Sequence, residues 1–409
     1  MRDILPAEKA TRERVLARIR SVYRAHGFDE IETPVVEDAA RLFSGLGGDN
    51  EKLAYAVMKR GLTTDDLRAA ATPLELADLG LRFDLTVPLA RFYASNRGQL
   101  PSVFRAIQVA PVWRAERPQK GRYRQFVQCD IDIIGEPGIV AEVELITATA
   151  AALDALGVPG CSIRLNDRRL LTEWLQAHGV AESLRPAALI TLDKLDKIGL
   201  EAVIAELEAL GISDPAAMLA WVNLEASIDD SWAMLEGSAF ASTEAARDLL
   251  AIRSAVPTVA LQFDPLLVRG MGYYTGPIFE VAHPELGYSL GGGGRYDGMI
   301  GRFLGADVPA TGFSLGFERL IDLVDLGADE GAGASVLLYD ADADLGLIMA
   351  LKSHLVSEGA RVRIMKRPKN MKAALEQLAG EGFTRFALVA ADTPADATAL
   401  DWRRLEPAS

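Results

Sequence analysis

The sequence predicts an α+β protein: an antiparallel sheet flanked by helices, carrying a helical insertion, followed by a small α/β domain. Three observations predict it. Two strand-like stretches, SVFRAIQVAPVWRAE and RYRQFVQCDIDIIG, flank the Pro/Gly loop ERPQKGR and read as a long hairpin with a basic tip. Residues 166–256 are almost entirely helical in pattern. After the small-residue stretch GADEGAGA (327–334), strand and helix signals alternate, the mark of a parallel α/β unit. A chain of 409 residues has room for two or three domains at ~100–200 residues each.

The elements follow in order. Residues 7–26 predict an amphipathic helix, with Val15, Leu16, Ile19, Val22 and Tyr23 on one face and Gly27 as its stop. DEIETPVVE predicts a strand that Pro34 confines to an edge or a bulge, because proline donates no hydrogen bond. Residues 62–80, rich in Asp and Ala, read as a surface excursion. LRFDLTVPLARFYA predicts a strand turning at Pro88 into a helix. Along RYRQFVQCDIDIIG, Phe126, Gln128, Asp130 and Asp132 share one face, and Val127, Cys129, Ile131 and Ile133 the other. An Ala-rich buried helix is expected at 140–156 and a short strand at 161–165. Strand signals return at 258–263, 277–282 and 288–290 (YSL), ahead of the glycine run 291–294. A strand at 310–315 leads into a helix at about 317–326. The last domain reads strand 335–339, helix 342–358, strand 361–365, helix 371–380, strand 385–390. The expected domains are 1–165 with 257–326 as a core, 166–256 inserted, 327–334 as linker and 335–409 as a short α/β domain.

Composition narrows the function. With 49% hydrophobic and 24% charged residues the chain is globular. No apolar run approaches the ~20 residues of a membrane helix. MRDILPAEKATRER lacks an apolar h-region, so no signal peptide is expected. Two cysteines, Cys129 and Cys161, make no disulfide framework, and a reducing cytoplasm follows. Four histidines without close Cys/His pairs argue against zinc. Asp and Glu exceed Lys and Arg by 57 to 43, a net charge of −14, which opposes non-specific nucleic-acid binding but not a local basic site.

Four segments carry chemistry-bearing residues. Arg114, Arg117, Lys120, Arg122 and Arg124 cluster at the hairpin tip, opposed only by Glu116. Guanidinium forks suit phosphate; a solvated basic loop fits the cluster about equally well. The carboxylates on the following strand tilt the balance, because cations for phosphate beside carboxylates for an amine suit activation of an amino acid by ATP. LVRGMGYYTGPIFE places Arg269 among glycines and a tyrosine pair. Alone it fits a Gly-rich bend with core tyrosines better. SLGGGGRYDG is neither a Walker A loop nor a dinucleotide fingerprint, and alone it is weak. TGFSLGFERL brings Glu318 and Arg319 to a helix start, where a surface ion pair competes with a phosphate site.

Together and in this order, the segments resemble the histidyl-tRNA synthetases of the class II aminoacyl-tRNA synthetases. TPVVE is similar to motif 1, WRAERPQKGRYRQF to motif 2 and GFSLGFERL to motif 3, while LVRGMGYYTG, GGGGRYDG and LRFDLTVPLAR resemble segments of the histidine enzymes. The resemblance implies a class II synthetase-type fold, ATP and Mg2+ as cofactors, L-histidine and tRNA-His as partners, and a homodimer built on motif 1. By it, Arg114 contacts the ATP α-phosphate and the histidine carboxylate, and Arg269 the α-phosphate. Arg319 holds the γ-phosphate and stacks on adenine opposite Phe126, and Glu116 lies near the adenine amino group and a magnesium ion. Asp84, Thr86 and Gln128 bind the α-amino group, and Asp132 with Tyr273 and Tyr274 forms the imidazole pocket. Gln119 and Arg124 meet the tRNA acceptor end, and the C-terminal domain reads the anticodon. Its basic set is Arg361, Arg363, Lys366, Arg367, Lys369 and Lys372, for which a solvated face is an equal reading. Two departures stand out: Gly272 occupies a position where the family has Asp, and a chain ending at Ser409 leaves no room for the final strand and helix of many members. Two other readings remain. One is a catalytically silent paralogue serving as regulatory subunit of ATP phosphoribosyltransferase. Such paralogues lose the motif 2 and 3 arginines and the C-terminal domain, and this chain has both. The other is an enzyme that activates histidine for a non-tRNA acceptor.

Overall fold

The computed structural model describes residues 1–43, 53–117, 123–220, 222, 226–269, 273–324, 326 and 333–405. The chain divides into two compact units, Val15–Asp325 with Met1, and Leu326–Ser409 with Arg2–Arg14. Most of the expected linker, 327–332, lies outside the described residues.

The strands of the larger unit are β1 (Asp29–Glu30), β2 (Val36–Asp38), β3 (Ala56–Met58), β4 (Ala77–Leu81), β5 (Phe104–Trp113), β6 (Gln125–Ile134), β7 (Ser162–Asp167), β8 (Leu261–Phe263), β9 (Pro277–Ala282), β10 (Gly291–Arg295) and β11 (Ala310–Gly316). Eight of them form one sheet in the order β1-β5-β6-β11-β10-β9-β7-β8. Only the edge pairs β1/β5 and β7/β8 are parallel; the rest are antiparallel. The hairpin β5–β6 is its spine, paired without interruption from Phe104↔Ile134 to Trp113↔Gln125. Alternation puts Cys129, Ile131 and Ile133 of β6 and Phe313 and Leu315 of β11 on the buried face, which packs against the helix Val140–Ala155. The opposite face carries Gln128, Asp130 and Asp132.

Four local expectations change. DEIETPVVE is not one strand: β1 joins the large sheet, and β2 joins a small sheet of order β2-β4-β3, with Pro34 between them. A residue without an N–H cannot continue either ladder. Residues 62–80 hold the helix Thr64–Ala69 and β4, so they are more than a surface excursion. The helix Thr86–Asn96 begins two residues before Pro88, which sits in the first turn where its missing N–H is not needed. The fourth change concerns the glycine run. YSL forms no strand; Gly291–Arg295 forms β10, between β11 and β9. Glycine is a poor strand residue, but here side chains would collide with the neighbouring strands. A Cβ on Gly291 would stand 2.5 Å from the Ser314 carbonyl oxygen, and one on Gly293 would strike Gly312.

The inserted segment is helical, from Arg168–Ala177 to Glu244–Ala255. Its core around Trp174, Leu189, Leu192, Val203, Leu207 and Met218 is continuous with Leu266, Leu267 and Val268 and with Ile278 of β9. Trp232 is fully buried and donates its indole N–H to the Leu261 carbonyl at 2.8 Å.

The second unit has β12 (Ser335–Tyr339), β13 (Val362–Lys366), β14 (Arg385–Val389) and β15 (Arg403–Arg404), in the order β13-β12-β14-β15. The first three are parallel and β15 is antiparallel. Helix Leu345–Ser357 covers one face through Ile348 and Leu351 against Leu337. Helix Met371–Gly380 covers the other, where Leu378 meets Val336 and Leu338. Covering both faces explains the unbroken apolar run Val336–Leu338. Part of the basic set is engaged within the unit: Arg361 and Arg363 flank the Phe383 ring at 4.4 and 4.6 Å, Arg363 pairs with Glu381, and Arg367 with Asp340 at 3.4 Å. Among the described residues no helix is long and apolar enough to cross a membrane.

Candidate active site

One cavity of about 500 Å³ opens over the polar face of the eight-stranded sheet. It gathers Asp84, Thr86, Arg114, Glu116, Phe126, Gln128, Asp132, Arg269, Tyr273, Tyr274 and Arg319, which the sequence scatters over more than half its length. Arg124 stands off the cavity, its Nε donating to the Glu116 carbonyl at 3.1 Å. Gln119, with Lys120 and Arg122, lies outside the described residues, as does Gly272.

The floor is made by cross-strand register. Asp132 stands opposite Ala106 on β5 and Gly312 on β11, and Gly312 opposite Gly294 on β10. One row along, Asp130 faces Gln108 and Ser314, and Ser314 faces Gly292. The Asp132 carboxylate therefore projects from β6 over neighbours reduced to hydrogen or methyl, while Asp130 lies between two polar side chains. A Cβ on Gly312 would strike the Asp132 carboxylate, and one on Gly294 would come within 2.9 Å of the Tyr274 ring.

Three carboxylates sit in this floor with little solvent. Asp84, Asp130 and Asp132 are 5%, 4% and 3% exposed. Burial pushes Asp84 up to about 6, against the Val87 N–H that it accepts at 3.2 Å and the Arg114 charge. Burial pushes Asp132 up to about 7, although the Tyr296 hydroxyl donates to its Oδ1 at 2.6 Å. Asp130 is raised well above the carboxylate range by burial and by Asp132 beside it. Acids held this way favour a cation or a hydrogen-bond donor as ligand. Tyr273 lies 4.7 Å from Tyr274, centroid to centroid, and edge-on to Tyr296 at 6.3 Å, which walls the pocket with aromatic rings.

The opposite end is cationic. Arg114 follows directly on β5. Its Nε donates to the Phe83 carbonyl at 2.9 Å and its guanidinium lies 5.1 Å over Phe126. Arg269 adopts a positive φ of 48°, rare for a residue with a side chain. Its Nη2 is held by Glu280 at 2.5 Å, the Ser289 hydroxyl at 2.9 Å and the Gly291 carbonyl at 3.0 Å. Glu280 is anchored by Arg164 at 2.9 Å, which also pairs with Asp264. Arg319 donates to the Ser289 carbonyl at 2.8 Å and lies 5.2 Å over Tyr288. Ser289 thus seats two arginines, one on its hydroxyl and one on its carbonyl. Sequence reading missed this role and those of Tyr288, Tyr296 and Glu280. A Tyr-Ser pair beside glycines carries no signal of its own; only the register of β9, β10 and β11 reveals it.

Such a site offers guanidinium groups at one end, suited to an anion, and buried acids at the other, suited to a cation or a hydrogen-bond donor. On an antiparallel sheet this defines a class II aminoacyl-tRNA synthetase. Comparison with known proteins agrees. The model of the histidyl-tRNA synthetase family matches residues 1–320. A histidine–tRNA ligase of Leifsonia xyli subsp. xyli is 59% identical, over 99% of this chain and 97% of that protein. A probable histidine–tRNA ligase of Tropheryma whipplei is 42% identical over 97% and 96%. The crystal structure of histidyl-tRNA synthetase from Nostoc sp. PCC 7120 superposes with a TM-score of 0.78 at 25% identity, over 98% of this chain and 95% of that one. The chain belongs to the histidyl-tRNA synthetase family.

Proposed function

We infer that the protein is a histidine–tRNA ligase. It activates L-histidine with ATP to histidyl-adenylate and pyrophosphate, then transfers histidine to the 3′ end of tRNA-His. The observation that carries this reading is the single cavity holding Arg114, Arg269 and Arg319 with Asp84, Gln128 and Asp132. Retention of all three arginines opposes the regulatory-subunit reading. Transfer of labelled histidine to tRNA-His by the purified protein tests it; a protein that activates histidine but charges no tRNA would have a different acceptor.

In activation the histidine carboxylate attacks the α-phosphorus and negative charge gathers on the phosphate oxygens. The nucleophile is already ionised, so no general base is required. Arg114 and Arg269 supply fixed positive charge at the α-phosphate, and Arg319 binds the γ-phosphate and the adenine face opposite Phe126. Catalysis of this kind is positioning plus electrostatics. At the other end Asp132, with Oδ1 occupied by Tyr296, offers its second oxygen to an imidazole N–H. Tyr273 and Tyr274 close around the ring, and Asp84, Thr86 and Gln128 receive the α-ammonium. Mg2+ bound through ATP phosphates takes hard oxygen ligands and offsets phosphate charge. Glu116, which lines the same cavity as Glu318, has the right donor type. Arg124 and Gln119 are assigned to the acceptor end of the tRNA, and the second unit to the anticodon. The cytoplasm is the assigned compartment.

Gly292 permits Arg269 to lie against the sheet: a Cβ there would stand 2.6 Å from Arg269 Nη2 and 2.8 Å from the Phe279 carbonyl oxygen. Gly292→Ala should therefore lower kcat for histidine-dependent pyrophosphate exchange about a hundredfold by displacing one cation. The clash with the Phe279 backbone should also lower the Tm, and unchanged kcat in the folded variant would show that Arg269 has no fixed position to keep.

We assign the active form as a homodimer. The small sheet exposes the apolar side chains of Val36, Met58 and Leu79, and Val35 and Leu74 are exposed as well, all suited to burial in an interface. Sedimentation at micromolar concentration should give a dimer, and Val36→Glu should give a monomer. A monomeric parent protein would contradict the assignment.

A further inference from the structure

Two buried acceptors on the cavity floor have no partner among the described residues: Oε1 of Gln128 and Oδ1 of Asp130. They stand two residues apart on the same side of β6. The other end of the Gln128 amide, Nε2, donates to the Ser314 hydroxyl oxygen at 2.9 Å. Ser314 sits directly across from Asp130 in the β6–β11 pair, where its hydroxyl favours the ionised carboxylate. A hydroxyl has one proton to give and lone pairs to receive. With its oxygen accepting from the Gln128 amide, its proton goes to the carboxylate. The order Gln128 → Ser314 → Asp130 then fixes which end of the amide faces the cavity, and that end is the carbonyl. Asp84 lines the same cavity, close enough for its charge to act on Asp130.

We propose that Asp130 and Ser314 complete the seat of the substrate's α-ammonium. Asp130 Oδ1 and Gln128 Oε1 each accept one ammonium N–H beside Asp84, and Ser314 is a positioning residue that keeps Gln128 in its accepting orientation. An ammonium carries three donors and one positive charge, shared among two carboxylates, the Gln128 amide oxygen and the Thr86 hydroxyl on the same cavity. The assignment rests on the reading of the cavity as a histidine-activating site and adds two residues to it.

The test uses the full-length enzyme in pyrophosphate exchange, with two competing probes: L-histidinol, which keeps the ammonium, and imidazole-4-propionate, which lacks it. Asp130→Asn should raise the histidine KM and the histidinol inhibition constant about ten- to a hundredfold. The KM for ATP and the inhibition constant of imidazole-4-propionate should stay within about twofold. Ser314→Ala should move the same two quantities in the same direction by less. The double variant should lose less than the product of the single losses, because the relay acts as one unit. An unchanged histidine KM in Asp130→Asn, or equal weakening of both probes, would overturn the proposal. If Asp130→Asn does not fold, the Ser314→Ala comparison of the two probes decides alone. A parent enzyme that exchanges pyrophosphate with no amino acid would instead overturn the synthetase reading.

Discussion

Arg269→Ala should reduce histidine-dependent pyrophosphate exchange by about a thousandfold or more while leaving the protein folded. The size follows from what the side chain does in the assigned role. A fixed cation at the α-phosphate interacts more strongly with the transition state than with the ground state, and removing one such donor costs on the order of 10²- to 10³-fold in kcat, more for a full guanidinium. Preservation of the fold follows from the ion network. Glu280 keeps Arg164 at 2.9 Å when Arg269 is lost, so no buried carboxylate is orphaned. Arg114 differs. It is the only cation among the groups that shift Asp84, so Arg114→Ala should raise the Asp84 carboxyl further and weaken histidine binding as well as chemistry. The two variants thus separate by their kinetics: Arg269→Ala lowers kcat with little change in the histidine KM, and Arg114→Ala changes both. A parallel rise in the histidine KM for Arg269→Ala would contradict the assigned role.

Asp132→Asn should abolish histidine selection and stabilise the protein at the same time. The amide can no longer accept as strongly from both the Tyr296 hydroxyl and an imidazole N–H, and loss of a buried acceptor matched to a substrate donor costs roughly 10⁴-fold in kcat/KM. Stability moves the other way. The folded-state value of about 7 lies above that of an unfolded aspartate, so this carboxyl's contribution is fully present below about pH 4 and is lost as pH rises through 7. At pH 8 the charged group opposes folding by on the order of a few kcal/mol, and a neutral amide removes that opposition. Melting curves should show Asp132→Asn above the parent at about pH 8 and level with it near pH 4. For the parent, kcat/KM for histidine should fall as pH drops through about 7 and again through about 6, where Asp132 and then Asp84 take up protons. A variant less stable than the parent at pH 8 would mean that Asp132 serves the fold rather than the substrate.

Much of this architecture was legible because side-chain period and burial agree. Gln128, Asp130 and Asp132 alternate with Cys129, Ile131 and Ile133, and that alternation alone defined a strand with one polar face. The C-terminal unit was legible for the same reason, since an apolar run like Val336–Leu338 requires cover on both faces. Legibility failed where a tertiary demand overrides local preference. Nothing in GGGG suggests a strand, yet β10 needs hydrogen at these positions because Gly312, Ser314 and Arg269 occupy the adjacent space. Nothing in residues 62–80 announces β4, whose partners β2 and β3 lie apart in the chain. At the site, cations and carboxylates were visible as residue types, but the groups that orient them were not. Glu280 and Ser314 act through register across strands distant in sequence, Ser289 and Tyr296 act from either side of β10, and none of them carries a mark of what faces it.

In the assigned function one cavity binds histidine and ATP together and joins them. ATP–pyrophosphate exchange with each of the twenty amino acids in parallel tests it most directly. The structure predicts exchange with L-histidine alone, lost in Arg269→Ala and Asp132→Asn. Exchange with a different amino acid, or with none, would contradict the account.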